Sequence, residues 1–167
     1  VPTAWWHNYS FVKSIFLDSQ GNIYVQINDL DNNHNLATHL IKYDIDLNIL
    51  FNINRAYGQL FDTITYCNDY AFADLCLGFG SIYICYSSTN CSRSIIYRLD
   101  QNSGAVIDSV LLNHTIINDA TINNSGLIVT GSKSNNINGK QLLVQQFDSL
   151  LTSIWICLYN NTLGNYM

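Results

Sequence analysis

The sequence predicts an all-β protein built from a four-stranded unit that occurs three times. Short runs rich in Val, Ile, Leu and Tyr alternate with turns rich in Asn, Asp, Ser and Gly, as in antiparallel strands joined by tight turns. Similar segments recur at intervals of about fifty residues, which indicates a repeat architecture. In each repeat an apolar run ending in Asp follows about twenty residues later.

The third unit shows the strands and turns most clearly. Asn138-Gly139 is a strong hairpin signal, because both residues tolerate the positive φ values of tight turns. The runs between the turns are apolar and rich in β-branched residues, which favours strands. The predicted strands are 120–122, 127–130, 141–147 and 151–159.

The same pattern is found in all three units. GNIYV at 21–25 matches GSIYI at 80–84 and GLIVT at 126–130. The downstream runs are LIKYD at 40–44, IYRLD at 96–100 and VQQFD at 144–148. Phe51 and Trp155 each lie seven residues after the Asp of their unit. We interpret the recurring Asp44, Asp100 and Asp148 as turn residues that cap their own backbone, since a repeated residue favours structure over catalysis.

A period of about 40–50 residues with four strands per unit is typical of a β-propeller blade. We predict blades at about 12–54, 70–112 and 116–159, with a stray strand at 3–10. Propellers have about four or more blades, so three cannot close a ring. We therefore expect self-association, or further blades of a longer chain, to complete it.

The segments DSQGNIYV at 18–25 and KYD at 42–44 carry a family resemblance, as do 126–131, Phe147-Asp148 and Trp155. The chain resembles the bacterial-type β-propeller proteins with SBBP repeats. The middle unit departs from this pattern, because it has RLD at 98–100, an inserted turn at 101–104 and no matching Trp. The resemblance covers most of the chain. It implies a propeller fold and an extracellular or cell-surface setting, but no activity.

Composition limits the classes of partner. The chain has 167 residues, which corresponds to one domain, and 11% of them are charged. A net charge of −5 without a basic cluster argues against a nucleic-acid partner. The sequence contains no apolar run long enough for a membrane-spanning helix. A surface that is polar but mostly uncharged suits an extracellular protein, and it equally suits a gene of biased base composition.

Five cysteines leave two interpretations open. No C-x-x-C spacing occurs, which disfavours a structural zinc site. A disulfide could join Cys85 to Cys91, which flank a predicted loop, and Cys67 could pair with Cys76. The alternative is that these residues are small buried hydrophobes, while Cys157 is left over.

Five Asn-x-Ser/Thr sequons are present, many of them expected by chance in a chain this rich in Asn. In a secreted eukaryotic protein, Asn90 and Asn123 would be the best glycan candidates, because both fall in predicted turns.

The sequence shows no catalytic constellation. It contains no G-x-S-x-G elbow, phosphate-binding loop or dinucleotide fingerprint. The spacing of Asp29, Asp31 and Asn33 matches the start of a calcium loop, but the Gly and Glu that the loop needs are absent. We therefore predict no enzyme activity, no cofactor, and no catalytic or metal-ligating residues.

The sequence favours a non-enzymatic structural protein of the extracellular space or cell surface, which acts by assembly. The alternative is a β-propeller module that binds carbohydrate or another ligand through exposed aromatic residues. Against that alternative, aromatic residues in a repeat protein more often pack one blade against the next.

Overall fold

The computed structural model describes residues 10–30, 36–56, 71–88, 92–135 and 139–160. All regular secondary structure in these ranges is β-strand. No helix in them is long and apolar enough to cross a membrane. The all-β prediction is thus confirmed.

Twelve strands follow one another along the described residues. They are β1 (Ser10–Leu17), β2 (Ile23–Leu30), β3 (Leu36–Tyr43), β4 (Ile49–Ala56), β5 (Ala71–Gly78), β6 (Ser81–Ser88), β7 (Arg93–Asp100), β8 (Val106–Asn113), β9 (Thr115–Asn123), β10 (Gly126–Asn135), β11 (Gly139–Phe147) and β12 (Ser153–Tyr159).

The strands form three separate four-stranded sheets in sequence order: sheet A (β1–β4), sheet B (β5–β8) and sheet C (β9–β12). Within the described residues, the neighbouring strands pair antiparallel. The chain divides into two compact units, Val1–Ala71 and Phe72–Met167. Sheet A lies in the first, while sheets B and C share the second apart from the first residue of β5. The predicted four-stranded units are confirmed, but the described sheets form no closed ring. The proposed stray strand at 3–10 falls almost entirely outside the described residues.

The register of the second and third strands shows which positions are equivalent in the three sheets. Ile23 pairs with Tyr43, Ile82 with Leu99, and Leu127 with Phe147, and in each sheet an Asp follows the second residue of the pair. Tyr24, Tyr83 and Ile128 are therefore equivalent.

This register corrects one part of the sequence alignment, which matched Tyr24 with Val129. The turn between β9 and β10 has two residues, so Gly126 is already a strand residue and pairs with Asn123. A slip of one residue moves every side chain to the opposite face of a strand. The equivalent of Tyr24 is therefore Ile128, on the other face of β10 from Val129.

We name the two faces of each sheet by these positions. The front face carries Tyr24, Tyr83 or Ile128, and the back face carries their strand neighbours Val25, Ile84 or Val129. Successive side chains of a strand point to opposite faces, and paired residues of neighbouring strands share a face. The strand registers therefore assign the paired residues to a face.

The bulges also repeat. Leu50, Ile107 and Ile154 are each one extra residue in the fourth strand of their sheet, at the same distance from the paired residues that precede the turn. Lys13 and Asn118 are extra residues in the first strands of sheets A and C, again at equivalent positions. Bulges bend a strand and increase its twist, so the sheets share a similar local distortion.

The recurring Asp residues cap the turns between the third and fourth strands. Asp44 Oδ1 accepts hydrogen bonds from the backbone N–H groups of Asp46 and Asn48, at 2.9 and 2.8 Å. Asp148 Oδ1 accepts the equivalent pair from Leu150 and Thr152. The interpretation of these Asp residues as turn caps is confirmed. The loop with Asp31 and Asn33 lies outside the described residues.

Asp100 caps a turn that is one residue longer. Its Oδ1 accepts from the backbone N–H groups of Asn102 and Ser103, and Gly104 follows with φ 70°. The insertion noted in the middle repeat therefore lengthens this turn, and Asp108 stands where the other sheets have Phe51 or Trp155.

Two leucines occupy the left-handed region in these turns. Leu47 has φ 64° and Leu151 has φ 62°. Gly104 in the turn capped by Asp100, and Gly21 in the turn between β1 and β2, adopt the same left-handed conformation. Leu47 is exposed, whereas the side chain of Leu151 is buried between sheets B and C. The predicted strand 151–159 accordingly begins two residues later, at Ser153.

We expect opposite effects from glycine at these two positions. The left-handed conformation costs an L-residue about 1–2 kcal/mol, and glycine loses about 0.5–1 kcal/mol in entropy. Leu47→Gly should raise the free energy of unfolding by about 0.5 kcal/mol. Leu151→Gly should lower it by about 2–4 kcal/mol, since it removes a buried side chain. Urea unfolding of both variants checks this, and a loss at Leu47 as large as that at Leu151 would contradict it.

Candidate functional site

The front face of sheet B packs against the back face of sheet C. Sheet B contributes Tyr83, Cys85 and Ile96 to this core. From sheet C come Leu127, Val129 and Phe147. Burial of apolar area stabilises such a contact by about 25 cal/mol per Å². The two sheets therefore meet through non-equivalent faces, as successive members of a stack do.

The contact is close at its end near the turns. The Tyr83 hydroxyl donates to the backbone oxygen of Ser149 at 2.9 Å. A Cβ at Gly78 would lie 2.8 Å from Ile122 Cδ1 and 2.9 Å from Ile122 Cγ2. The glycine therefore lets β5 approach β9 more closely than a larger residue would.

Two buried serines join sheet B to the first strand of sheet C. Ser87 and Ser94 are both fully buried, and their Oγ atoms lie 2.7 Å apart. The backbone N–H of Ile117 donates to both, at 2.8 and 3.0 Å. The hydroxyl of Ser87 reaches the backbone oxygen of Ile117, and that of Ser94 reaches the backbone oxygen of Thr115, each at 2.9 Å.

The hydrogen atoms in this network are shared. Each hydroxyl has one hydrogen to donate, while the neighbouring hydroxyl and the two backbone oxygens all accept. When Ser87 donates to the backbone oxygen of Ile117, Ser94 can donate to Ser87. When Ser94 donates to the backbone oxygen of Thr115, Ser87 can donate to Ser94. The two serines therefore act as one polar unit rather than as two independent hydrogen bonds.

A pair of carboxylates lies at a second junction between these sheets. Asp74 Oδ2 and Asp119 Oδ1 both accept from the backbone N–H of Ala120, at 2.8 and 2.9 Å. Burial and the Asp119 carboxylate raise the pKa of Asp74 above its ordinary value of 3.8, although N–H donors at Ala120 and Leu75 oppose the change. Two carboxyl groups therefore share one backbone N–H donor at this junction.

Two thiols lie in the same core. Burial, followed by the negative charges of Asp74 and Asp119, raises the pKa of the Cys76 thiol to about 12. Burial likewise raises the pKa of Cys85 well above its ordinary value. Because the thiolate is the reactive form, neither group is a nucleophile in the closed structure.

The predicted disulfide is not formed in the structure. Cys76, Cys85 and Cys157 are free, while Cys67 and Cys91 lie outside the described residues. Cys85 faces the core three residues before Ser88 ends the strand, about 10 Å away along it. The alternative interpretation, a small buried hydrophobe, fits Cys76 and Cys85.

Of the two predicted glycan sites, Asn123 is the last residue of β9 and its side chain is exposed. Its Oδ1 accepts from the backbone N–H of Ser125 at 2.8 Å and from Gln146 Nε2 at 3.4 Å. Asn90 lies outside the described residues. Among the residues that are described, no three His, Cys, Asp or Glu side chains are grouped so that they could hold a metal ion.

The front face of each sheet has a long polar side chain two residues before the turn Asp. Lys42 Nζ lies 5.2 Å from the Tyr24 ring centroid and 6.0 Å from that of Phe51, within cation–π range. In sheet C the equivalent residue is Gln146, whose Oε1 accepts from Trp155 Nε1 at 2.6 Å. Gln146 is buried beneath this contact, while Trp155 is 41% exposed.

The front face of sheet C is open. Its first two strands carry the exposed polar residues Asp119, Thr121 and Thr130 there, and its last two strands carry an apolar patch. Its exposed members are Leu142, Trp155, Cys157 and Tyr159. Ile128 and Val144 lie between them and are half-buried. This face is equivalent to the front face of sheet B, which is covered by sheet C.

The back face of sheet A is also apolar and open. The first and fourth strands contribute the exposed Val12, Ile15, Leu17 and Ile49. The central strands contribute Ile23, Val25, Ile27, Ile41 and Tyr43, all half-buried. The opposite, front face of this sheet is buried at Tyr24, Gln26, Leu40 and Lys42. The open face is equivalent to the back face of sheet C, which is covered by sheet B.

Sequence reasoning did not identify these two open faces. Strand alternation could have found the apolar rows, but assigning them to a face requires the position of each bulge. The bulge residues are Leu50 in sheet A and Ile154 in sheet C, and no local sequence signal distinguishes them from their neighbours.

No protein-family model matches the chain, and no curated protein sequence matches it.

We expect the paired serines to be required for stability. Ser87→Ala should lower the free energy of unfolding by about 1–3 kcal/mol, because buried backbone groups of β9 lose a partner. Ser109→Ala, an exposed position in the same sheet, is the control and should change it by less than about 0.5 kcal/mol. In a double-mutant cycle, the double change Ser87→Ala and Ser94→Ala should cost less than the sum of the single changes. Additive losses would contradict the shared network.

We also expect Asp74→Asn to stabilise the protein at neutral pH. The raised pKa of Asp74 means that the folded state binds its proton more tightly than the unfolded chain does. The stabilisation from this bound proton is fully present below pH 3.8, the ordinary pKa. It is lost as the pH rises through the raised pKa of Asp74 in the folded protein. The gain from Asn should therefore shrink as pH falls towards 3.8.

Thermal unfolding between pH 3.5 and pH 7 measures this gain, because this range includes the ordinary pKa of 3.8 and extends well above it. Asp108→Asn removes one exposed carboxylate from the same sheet and is the matched control. A gain from Asp74→Asn that is constant over this pH range, or a loss at pH 7, would contradict the expectation.

Proposed function

We propose that the protein is a non-enzymatic structural protein whose sheets are β-propeller blades and that acts by assembly through its sheet faces. The proposal rests on how the sheets are used rather than on any reactive group. Sheets are placed one after another along the chain, and each unit is a simple meander. Such units cannot bury both faces alone and become stable by stacking.

Strand β6 of sheet B supports this proposal because it is buried along its whole length. All eight residues of β6 are buried, so side chains on both of its faces are excluded from water. On the front face the covering layer is the back face of sheet C. A two-layered sandwich would leave one face of each sheet open, whereas stacked blades cover both faces of every internal sheet.

The observation that carries the proposal is the open apolar face at each of two sheets. The back of sheet A and the front of sheet C expose large hydrophobic side chains, and a back face and a front face are the two types of face that meet between sheets C and B. Exposed contiguous apolar surface of this kind marks an interaction site. Three blades are also fewer than the four of the smallest propellers.

The proposed setting is extracellular or on a cell surface, and the proposed relationship is to proteins with SBBP repeats. The low charge content and the sequon at Asn123 support the setting. The free thiols of Cys76, Cys85 and Cys157 give it no support, since disulfides are the usual sign of an oxidising compartment.

A carbohydrate-binding function is the second candidate, and the aromatic residues of β12 favour it. Trp155 is 41% exposed and Tyr159 is 66% exposed on the front face of sheet C. The indole N–H of Trp155 is held by Gln146, which fixes the ring in place. A fixed, exposed ring can stack on the apolar face of a sugar.

Light scattering after size exclusion tests the structural proposal. We expect the chain to associate at micromolar concentration into species heavier than the 18.9 kDa monomer. Apolar association should persist at 1 M salt, where charge pairing is screened beyond about 3 Å. The same preparation is applied to a glycan array. A folded monomer at every concentration overturns assembly as the function, and one that binds glycans supports the carbohydrate proposal.

A further inference from the structure

The two open faces are a front face and a back face, the two types of face that already contact each other between sheets B and C. In the second unit, a front face (sheet B) covers a back face (sheet C). Of the two uncovered faces, one is a front face, on sheet C, and the other is a back face, on sheet A. The chain therefore exposes one member of each type.

The composition of the open faces fits the same division. The back face of sheet C offers aliphatic residues at Leu127, Val129 and Leu143, and that of sheet A offers Ile23, Val25 and Ile41. The open front face of sheet C places the larger Trp155 and Tyr159 on its outer strand. The two open faces thus differ in their side chains, with aromatic residues on the outer strand of one and branched aliphatic residues on the central strands of the other.

We propose, resting on the assembly function above, that a second copy of this chain covers the front face of sheet C with the back face of its own sheet A. Each copy then docks twice, once through each open face. Each contact joins different surfaces of the two copies, and two reciprocal contacts related by a two-fold axis complete a two-chain assembly.

The buried area favours closure over a single contact. A face of four eight-residue strands covers roughly 500 Å², from a strand spacing of about 4.8 Å and a rise of about 3.3 Å per residue. One interface, counted on both partners, therefore buries about 1,000 Å², at the lower limit for a stable contact. Two interfaces bury roughly 2,000 Å², which is typical of specific complexes.

A complementation experiment with two variants tests the pairing of faces. Leu142→Glu places a charge on the front of sheet C, where Leu142 is 60% exposed. Ile15→Glu does the same on the back of sheet A, where Ile15 is 63% exposed. The controls are Leu150→Glu and Ile45→Glu, at exposed turn positions outside both faces. Light scattering gives the mass, and circular dichroism verifies that each variant folds.

We expect the wild type and both controls to have twice the 18.9 kDa mass of one chain. Each face variant alone should be monomeric, because every contact between identical copies then includes one Glu. An equimolar mixture of the two face variants should form a complex of two chains. One of its two contacts is free of Glu, so it should dissociate at a concentration at least tenfold higher than the wild type does.

Other outcomes overturn the inference. If one face variant alone still dimerises, the remaining open face pairs with itself. If the mixture stays monomeric while the wild type associates, the faces do not pair as proposed, although assembly as a function survives. If the wild type forms a series of ever larger species, the contacts do not close. A wild type that is monomeric throughout overturns both proposals.

A second pair of variants guards against an effect of one position. Tyr159→Glu on sheet C and Leu17→Glu on sheet A change residues that are 66% and 69% exposed. The same loss alone and recovery on mixing is expected, and failure of this pair to complement would contradict the proposed docking.

Discussion

The contact between the Ser87–Ser94 pair and the start of β9 is the constraint on which the second unit depends. A single residue, His114, separates β8 at the outside of sheet B from β9, the first strand of sheet C. The chain must therefore enter a new sheet while its backbone groups are still buried against the previous one. The two hydroxyls provide donors and acceptors for those groups, where an apolar residue would leave them unsatisfied. Apolar packing alone could not fix this junction, since it has no direction.

Around this junction, the same local devices shape each sheet. A capped turn with a left-handed residue ends the third strand, and a bulge follows in the fourth. Where the chain has leucine instead of glycine, as at Leu151, burial of the side chain in the core offsets the cost of the left-handed backbone. The repeat is thus better preserved in backbone geometry than in residue identity, which explains why the middle unit keeps the fold with Asp108 in place of an aromatic residue.

Strands, turns and the number of units could be predicted from sequence because they depend on local chemistry, such as β-branched runs and Asp at the turn. The faces could not. The alignment through Gly126 was displaced by one residue, since this glycine is the first residue of β10 whereas Gly21 and Gly80 lie within their turns, and this displacement exchanges the two faces of the strand. The junctions at Ser87 and Asp74 also escaped prediction, because their partners, Ile117 and Ala120, are 30 and 46 residues away in the chain. Non-local pairs of this kind leave no periodic signal.

The buried thiols make the opening of the contact between sheets B and C measurable. Cys76 and Cys85 lie inside it and are protonated there, so a thiol reagent reaches them when the sheets part. In a single chain, Cys157 is exposed on the same unit and reacts without separation of sheets B and C, which gives an internal reference rate. The ratio of the two rates reports the free energy of local opening, in the way that hydrogen exchange does for amides. The cysteines of this unit therefore allow the separation of sheets B and C to be measured without introducing further residues.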